Sequence, residues 1–239
     1  MSTAQAAKTA LRQAANPEKA VFFPRFFKAG PGEYAEGDQF LGVTVPHVRL
    51  VAKRYADLSL TEIELLLTSK WHEERLLALI ILVQQTKKAN ESTRQQIFEF
   101  YLAHTAYINN WDLVDTSAGY VVGVWLDGRP EKMSVLKHLA QSESLWERRI
   151  AMIATFAYIK QGRADEALII AEILLYDKHD LIQKAVGWML REIGKRVDGV
   201  LLTEFLDMYA ATMPRTSLRY AIEHFTPETR RHYLLLAKQ

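Results

Sequence analysis

The chain contains no cysteine, so neither disulfides nor thiol chemistry enters its structure or function. Glycine and proline are sparse, 11 and 7 in 239 residues, and nearly all fall at breaks between longer segments. Long apolar runs are missing too. The longest, Leu76 to Val83, has eight residues, far short of the roughly 20 that cross a bilayer, so no membrane partner is expected. The opening MSTAQAAKTALRQAANPEK holds no apolar stretch of the kind a signal peptide needs, which sets the expectation of a cytoplasmic location. No charge of one sign dominates: 30 Lys and Arg against 28 Asp and Glu leave +2, so any surface for a polyanion must be locally basic. The 7 His show no metal spacing, and there is neither a Gly-rich phosphate loop nor a nucleophile elbow. No metal, no cofactor and no nucleotide cofactor is expected. His72 and His224, at helix starts, read as solvated or structural residues.

What is present is a core-forming composition, 49% hydrophobic and 24% charged, arranged with apolar residues at every third or fourth position. That period predicts an all-α chain, with helices near 61–69, 72–88, 92–107, 112–126, 131–142, 146–161, 164–176, 180–196, 199–212, 215–225 and 227–238. Ser92 or Thr93, Pro130 in a first turn and Thr226-Pro227-Glu228 supply start signals. Trp71 (W-H-E-E-R), Trp111 (W-D-L-V-D), Trp146 (W-E-R-R), Ile182 (I-Q-K-A) and Leu218 (L-R-Y-A) each open the second helix of a pair. They follow one another at about 35–40 residues, the period of a HEAT-like or armadillo-like array of helical hairpins. The predicted fold is therefore a superhelical solenoid of HEAT-like hairpin repeats whose second helices line a concave face, with residues 1–239 as a single domain. Only 29–42, AGPGEYAEGDQFLG, departs from the pattern. Four Gly, one Pro and three acids in that stretch suit a tight β-hairpin or an ordered loop and not a helix.

Three places carry residues that packing does not require. In 180–196 the apolar set Ile182, Ala185, Val186, Met189, Leu190 and Ile193 already completes a core face. Trp188 lies on the other side, in a stripe with Lys184, Arg191 and Lys195, and residues 184–196 carry a local charge of +3. Such a stripe is either a basic nucleic-acid footprint or a Trp lying over the alkyl stems of Lys and Arg. At 109–115, N-N-W-D-L-V-D, Asn109 or Asn110 caps a helix with Asp112 and Asp115 in its first turn. Trp111 and Asp115, four apart, share a face. Ordinary capping, worth about 0.3–1 kcal/mol through the helix dipole, competes there with a carboxylate presented for chemistry. At 145–150, Trp146 and Arg149 share a face while Arg148 points elsewhere. Arg149 can hold a phosphate or pair with an acid such as Asp115, one repeat earlier. By repeat position Asp115, Arg149 and Trp188 belong to successive hairpins and are expected to converge on the concave face.

The stretches N-P-E-K-A at 16–20, F-L-G-V at 40–43, W-D-L-V-D at 111–115, W-E-R-R at 146–149 and I-Q-K-A-V-G-W-M-L-R-E at 182–192 together resemble the HEAT-like repeat DNA glycosylases of the DNA alkylation repair family, the AlkD type. The similarity spans nearly the whole chain. It implies excision of cationic alkylpurines, 3-methyladenine and 7-methylguanine, from double-stranded DNA. Asp115 then falls on the catalytic carboxylate and Arg149 on the groove arginine. Trp111 and Trp188 fall on the two lesion-facing tryptophans, with Lys184, Arg191 and Lys195 on the DNA backbone. Two departures stand out. Phe26 occupies a position on the N-terminal helix where competent members carry Tyr, and 29–39 is similar to an inserted hairpin of a related branch that binds branched DNA without glycosylase activity. Three readings follow. A glycosylase releases base, a non-catalytic binder of branched or damaged DNA binds junctions without release, and a protein scaffold binds no DNA.

Overall fold

The computed structural model describes residues 2–236, and among these every regular element is helical. The helices fall into two compact units that divide between Val121 and Val122.

The first unit contains α1 (Ala4–Arg12), α2 (Pro17–Phe26), α3 (Val45–Arg54), α4 (Leu60–Leu67), α5 (His72–Lys88), α6 (Glu91–Ala103) and α7 (Trp111–Ala118). Several begin at polar caps: the side chains of Thr3, Asn16, Ser59, Asn90 and Asn110 each accept a backbone N–H of the first turn. The cap of α6 is Asn90, whose Oδ1 takes the Thr93 amide at 2.9 Å, so the expected caps Ser92 and Thr93 lie inside the first turn instead. α5 is the centre of this unit. Its run Leu76–Val83 is buried on every side, as an interior helix requires, with α3, α4 and α7 packed around it. The long helix expected over 92–107 ends at Ala103 and gives way to a 3₁₀ turn at Thr105–Tyr107.

The helix expected over 112–126 is likewise divided, with a π-helical turn at Gly119–Gly123 following α7 and the short α8 (Val124–Leu126) following that turn. In the second unit come α9 (Lys132–Ala140), α10 (Leu145–Ala154), α11 (Phe156–Ile159), α12 (Asp165–Ile173), α13 (Asp180–Arg196), α14 (Gly199–Tyr209), α15 (Arg215–Ala221) and α16 (Pro227–Leu236). Pro130 sits in the turn before α9, one residue ahead of the cap Glu131, and not in the first helical turn. The expected helix 146–161 breaks at Thr155, whose hydroxyl bonds back to the Met152 carbonyl at 2.7 Å. Residues 237 and 238, the expected end of the last helix, lie outside the described residues. α13 is the central helix here, packed against α10, α14 and α15. Gly187 lets α13 and α15 meet: a Cβ there would stand 2.3 Å from the Ser217 carbonyl oxygen.

The Gly-rich segment 29–42 forms successive turns and no hairpin. Its own acids take its amides: Glu33 accepts from Gly30 at 2.8 Å and Glu36 from Gly32 at 2.9 Å, which leaves no ladder for two strands to form. An isolated parallel bridge joins Gln39 to Trp71. Gly42 has φ of +77°, and a Cβ there would lie 2.0 Å from the Asn16 carbonyl oxygen, so the start of α2 rests directly on this backbone.

Candidate nucleic-acid interface

In the first unit the candidate residues gather at the start of α7. Asn110, fully buried, caps the helix by accepting the Trp111 amide at 2.8 Å. Trp111 is half-buried and lies nearly parallel to Phe27, ring centroids 5.7 Å apart, with the edge of Phe26 at 5.8 Å. Phe27 in turn stacks on Phe40 at 5.3 Å and faces His72 at 4.6 Å. Trp111 therefore rests on a shelf of aromatic rings fed by α2 and the Gly-rich segment. Asp115 is half-buried on the second turn of α7, one turn beyond Trp111 and on the same side. Only Asp112 is in the first turn, which corrects the expectation for Asp115. The dipole of a helix acts within its first turn, so capping accounts for Asp112 and not for Asp115. Tyr101 lies near enough to feel the Asp115 charge. Burial, and then that charge, push its phenol well above the usual range and keep it neutral, its hydroxyl 2.8 Å from that of Ser117.

Beneath this shelf the motif W-H-E-E-R holds four consecutive buried polar side chains, each with partners, as desolvated charges require. Glu74 takes Arg12 at 2.9 Å and Lys8 at 3.4 Å, fastening α1. One Glu73 carboxylate receives the amides of Leu41, Gly42 and Val43 at 2.8–3.1 Å, which orders the end of the Gly-rich segment. Arg75 donates to Asp38 at 2.6 Å. His72, only 1% exposed, lies between two carboxylates, with Nε2 2.9 Å from Asp112 and Nδ1 3.3 Å from Asp38. Burial opposes its charge, yet Asp112 and Asp38 outweigh both burial and the Arg75 cation and push its pKa up to about 9. His72 is thus a buried imidazolium joining the Gly-rich segment to the first turn of α7. Its place at a helix start reads as solvated or structural, and these carboxylate partners go beyond that reading. The signal was available: His72 follows Trp71 and Asp112 follows Trp111, so the two hold equivalent positions one repeat apart.

In the second unit Trp188 is half-buried on α13, its ring tilted against Phe156 at 6.0 Å and its Nε1 donating to Glu192 at 3.3 Å. Glu192 is buried under cations, receiving Arg196 at 2.5 Å and Arg191 at 3.4 Å. Burial raises the cost of its charge, but Arg196, Trp188 and Arg191 together hold its carboxyl below the usual range. Lys184 pairs with Asp180 at 2.8 Å, and Arg191 pairs with Glu223. Asp180 and Glu223, both outside 184–196, thereby offset two units of the net +3 counted along that stretch. Lys195 is exposed and has no ion pair among the described residues. Arg149 is 5% exposed and donates from Nη1 to the Leu181 carbonyl at 2.5 Å, tying α10 to the start of α13. Its neighbour Arg148 turns away to Asp177 at 2.7 Å.

Among the described residues no helix is long and apolar enough to cross a membrane, and no group of three His, Asp or Glu is placed to hold a metal ion. Paired helices, with the candidate carboxylate and tryptophans on the second helix of a pair, define an all-α protein of HEAT-like hairpin repeats.

The chain belongs to the DNA alkylation repair enzyme family, whose model matches residues 7–225. Its fold is shared with a structure described as a predicted DNA alkylation repair enzyme from Enterococcus faecalis, at 19% identity and a TM-score of 0.70, covering 89% of this chain and 97% of that one. It is also shared with a member of a family related to the HEAT-like repeat DNA glycosylases with affinity for branched DNA structures. That match has 13% identity and a TM-score of 0.59, covering 92% of this chain and 83% of that one. No curated protein sequence matches the chain.

Proposed function

We propose that the protein is a DNA repair glycosylase that excises positively charged alkylated purines, 3-methyladenine and 7-methylguanine, from duplex DNA. The observation that carries this reading is Asp115: a half-buried carboxylate outside the capping turn, one turn beyond a Trp held on an aromatic shelf. A cationic purine needs no strong acid to depart. When its glycosidic bond breaks, the bonding electrons go to the base and neutralise it, leaving an oxocarbenium ion on the deoxyribose. A fixed carboxylate beside that cation lowers the barrier by a few kcal/mol, as preorganised charges do elsewhere. Water then adds to the sugar and loses its proton to solvent. Asp115 supplies the charge. Trp111 offers a π face to the cationic base or sugar, worth about 1–2 kcal/mol when partly desolvated, and Trp188 on α13 is a second tryptophan proposed to face DNA. Phe26 closes the edge of the Trp111 shelf without the hydroxyl a Tyr would bring. Lys184, Arg191 and Lys195 meet backbone phosphates. Arg149 supports this from below, by fixing the start of α13 through Leu181.

Purified protein incubated with methylated duplex DNA should release both free bases, and Asp115→Asn should release neither while still binding the DNA. Release at an equal rate by Asp115→Asn removes that residue from the chemistry.

A second reading, binding of branched or damaged DNA without base release, is favoured by the Gly-rich segment. It is ordered, fastened by Glu73, His72 and Arg75 to α5 and through His72 to Asp112 on α7, the helix that carries Asp115, and a family with affinity for branched DNA structures shares the fold. Salt-sensitive binding to junctions with no release from methylated DNA supports this second reading. A protein that binds neither duplex nor junction is a scaffold.

A further inference from the structure

We propose that the solvent side of α2 is a stacking platform for unpaired DNA bases, built from Phe22 and Phe26 and flanked by Lys19 and Arg25. It rests on the DNA-binding reading above and adds a second contact, for bases outside the duplex.

None of the ten residues of α2 is buried, although half of them are apolar side chains of Val, Phe or Ala. Phe22 is 58% exposed, Phe26 51% and Val21 82%, an unusual concentration of large apolar surface on one short helix. The residues have a helical order. Lys19, Phe22 and Phe26 follow one another at offsets of three and four along a single stripe, with Arg25 beside it. The two rings lie 6.2 Å apart and 27° from parallel, so they offer faces with a common orientation. Phe26 is held by edge contacts to Phe27 at 4.9 Å and Trp111 at 5.8 Å, while Phe22, 58% exposed, has Phe26 as its one aromatic contact among the described residues.

The platform is also fixed in place. Asn16 caps α2, its carbonyl rests on Gly42, and Phe23, beside the stripe, packs edge-on against Phe27 and Phe40. Little ordering is needed for a planar ligand to dock.

The chemistry selects the occupant. Lys19 and Arg25 are exposed and have no carboxylate partner among the described residues, so the rings stand between cations free to meet phosphates. Rings interleaved with unpaired cations match a single strand, whose bases expose π faces every nucleotide while its backbone carries charge. An intact duplex shows only base edges and phosphates, and its π faces are closed by stacking. The preferred ligand is therefore a strand with unpaired bases joined to duplex, as at a fork or a flap.

The test compares Phe22→Ala with the wild type on two labelled DNAs at one salt concentration: a fork with a single-stranded arm and a blunt duplex of equal length. Anisotropy reads affinity, and 2-aminopurine in the arm reads stacking through quenching. Phe22→Ala should weaken fork binding about 5- to 150-fold, the effect of losing one base stack. It should abolish the quenching and leave duplex affinity within twofold. Phe22→Trp should restore both signals. Equal fork affinity and quenching in Phe22→Ala overturns the platform while leaving duplex binding standing. Wild-type protein that sediments as a dimer, with Phe22→Ala a monomer, assigns the face to a second copy and also overturns it. A wild type that binds neither DNA refutes the DNA-binding reading itself.

Discussion

Raising the pH should loosen the first unit through one side chain, His72. Its pKa stands at about 9 in the folded protein against 6.5 for a free imidazole. The native state thus holds a proton that the unfolded chain gives up over this interval. The resulting stabilisation is fully present below pH 6.5 and is lost as pH rises through 9, at a slope of about 1.4 kcal/mol per pH unit and a total of about 3 kcal/mol. With His72 only 1% exposed, solvent screening takes little from that figure. The groups that set it face the ring from three elements: Asp112 at the start of α7, Asp38 in the Gly-rich segment, and Arg75 one turn along α5. With no cysteine in the chain, no thiol titrates in the same window. Urea unfolding followed by tryptophan fluorescence at pH 6.5, 7.5, 8.5 and 9.5 reads the slope, since Trp111 lies on the shelf that His72 supports. Asp112→Asn keeps a hydrogen-bond acceptor but removes one charge, and should flatten the curve and lower its starting point. An unfolding free energy unchanged between pH 6.5 and 9.5, or the same slope in Asp112→Asn, would refute the reasoning.

Gly187→Ala places a methyl 2.3 Å from the Ser217 carbonyl oxygen and 2.5 Å from Tyr220 Cβ, so α13 and α15 must separate. The cost should be about 1–3 kcal/mol, read as a lower urea midpoint of the second unit, whereas an unchanged midpoint would deny the close approach. Lys195→Ala should leave the urea midpoint untouched, because Lys195 is exposed and has no ion pair among the described residues. If Lys195 meets a phosphate, the same variant lowers the slope of log affinity for duplex DNA against log salt by about 0.9, and an unaltered slope removes it from the interface.

The helices were legible because amphipathic period and polar caps are local properties, and α5 and α13 fall where the pattern put them. Their interruptions were not. The breaks at Thr155 and at Gly119–Gly123 leave the apolar period intact and show only in hydrogen bonding. At the candidate site the residue types were legible and their surroundings were not. A count along 184–196 sees four cations and Glu192, but Asp180 and Glu223 reach the same face from outside that window. Arg149 reads from helical position as a cation for a phosphate or an acid, yet it is buried, with its Nη1 on the Leu181 carbonyl at the start of α13. The acids of the Gly-rich segment serve the protein's own fold. Glu33 and Glu36 fold their own turn and Asp38 meets His72 and Arg75.

Asp115 is proposed to stabilise a cation on the sugar, and single-turnover excision of 7-methylguanine from a defined duplex, by wild type and Asp115→Asn under saturating protein, measures that directly. A barrier raised by about 3 kcal/mol corresponds to a rate lowered by about 100-fold or more, with the dissociation constant for the same duplex held within a fewfold. Equal rates for the two proteins, or no release by the wild type on a duplex it demonstrably binds, would contradict the account.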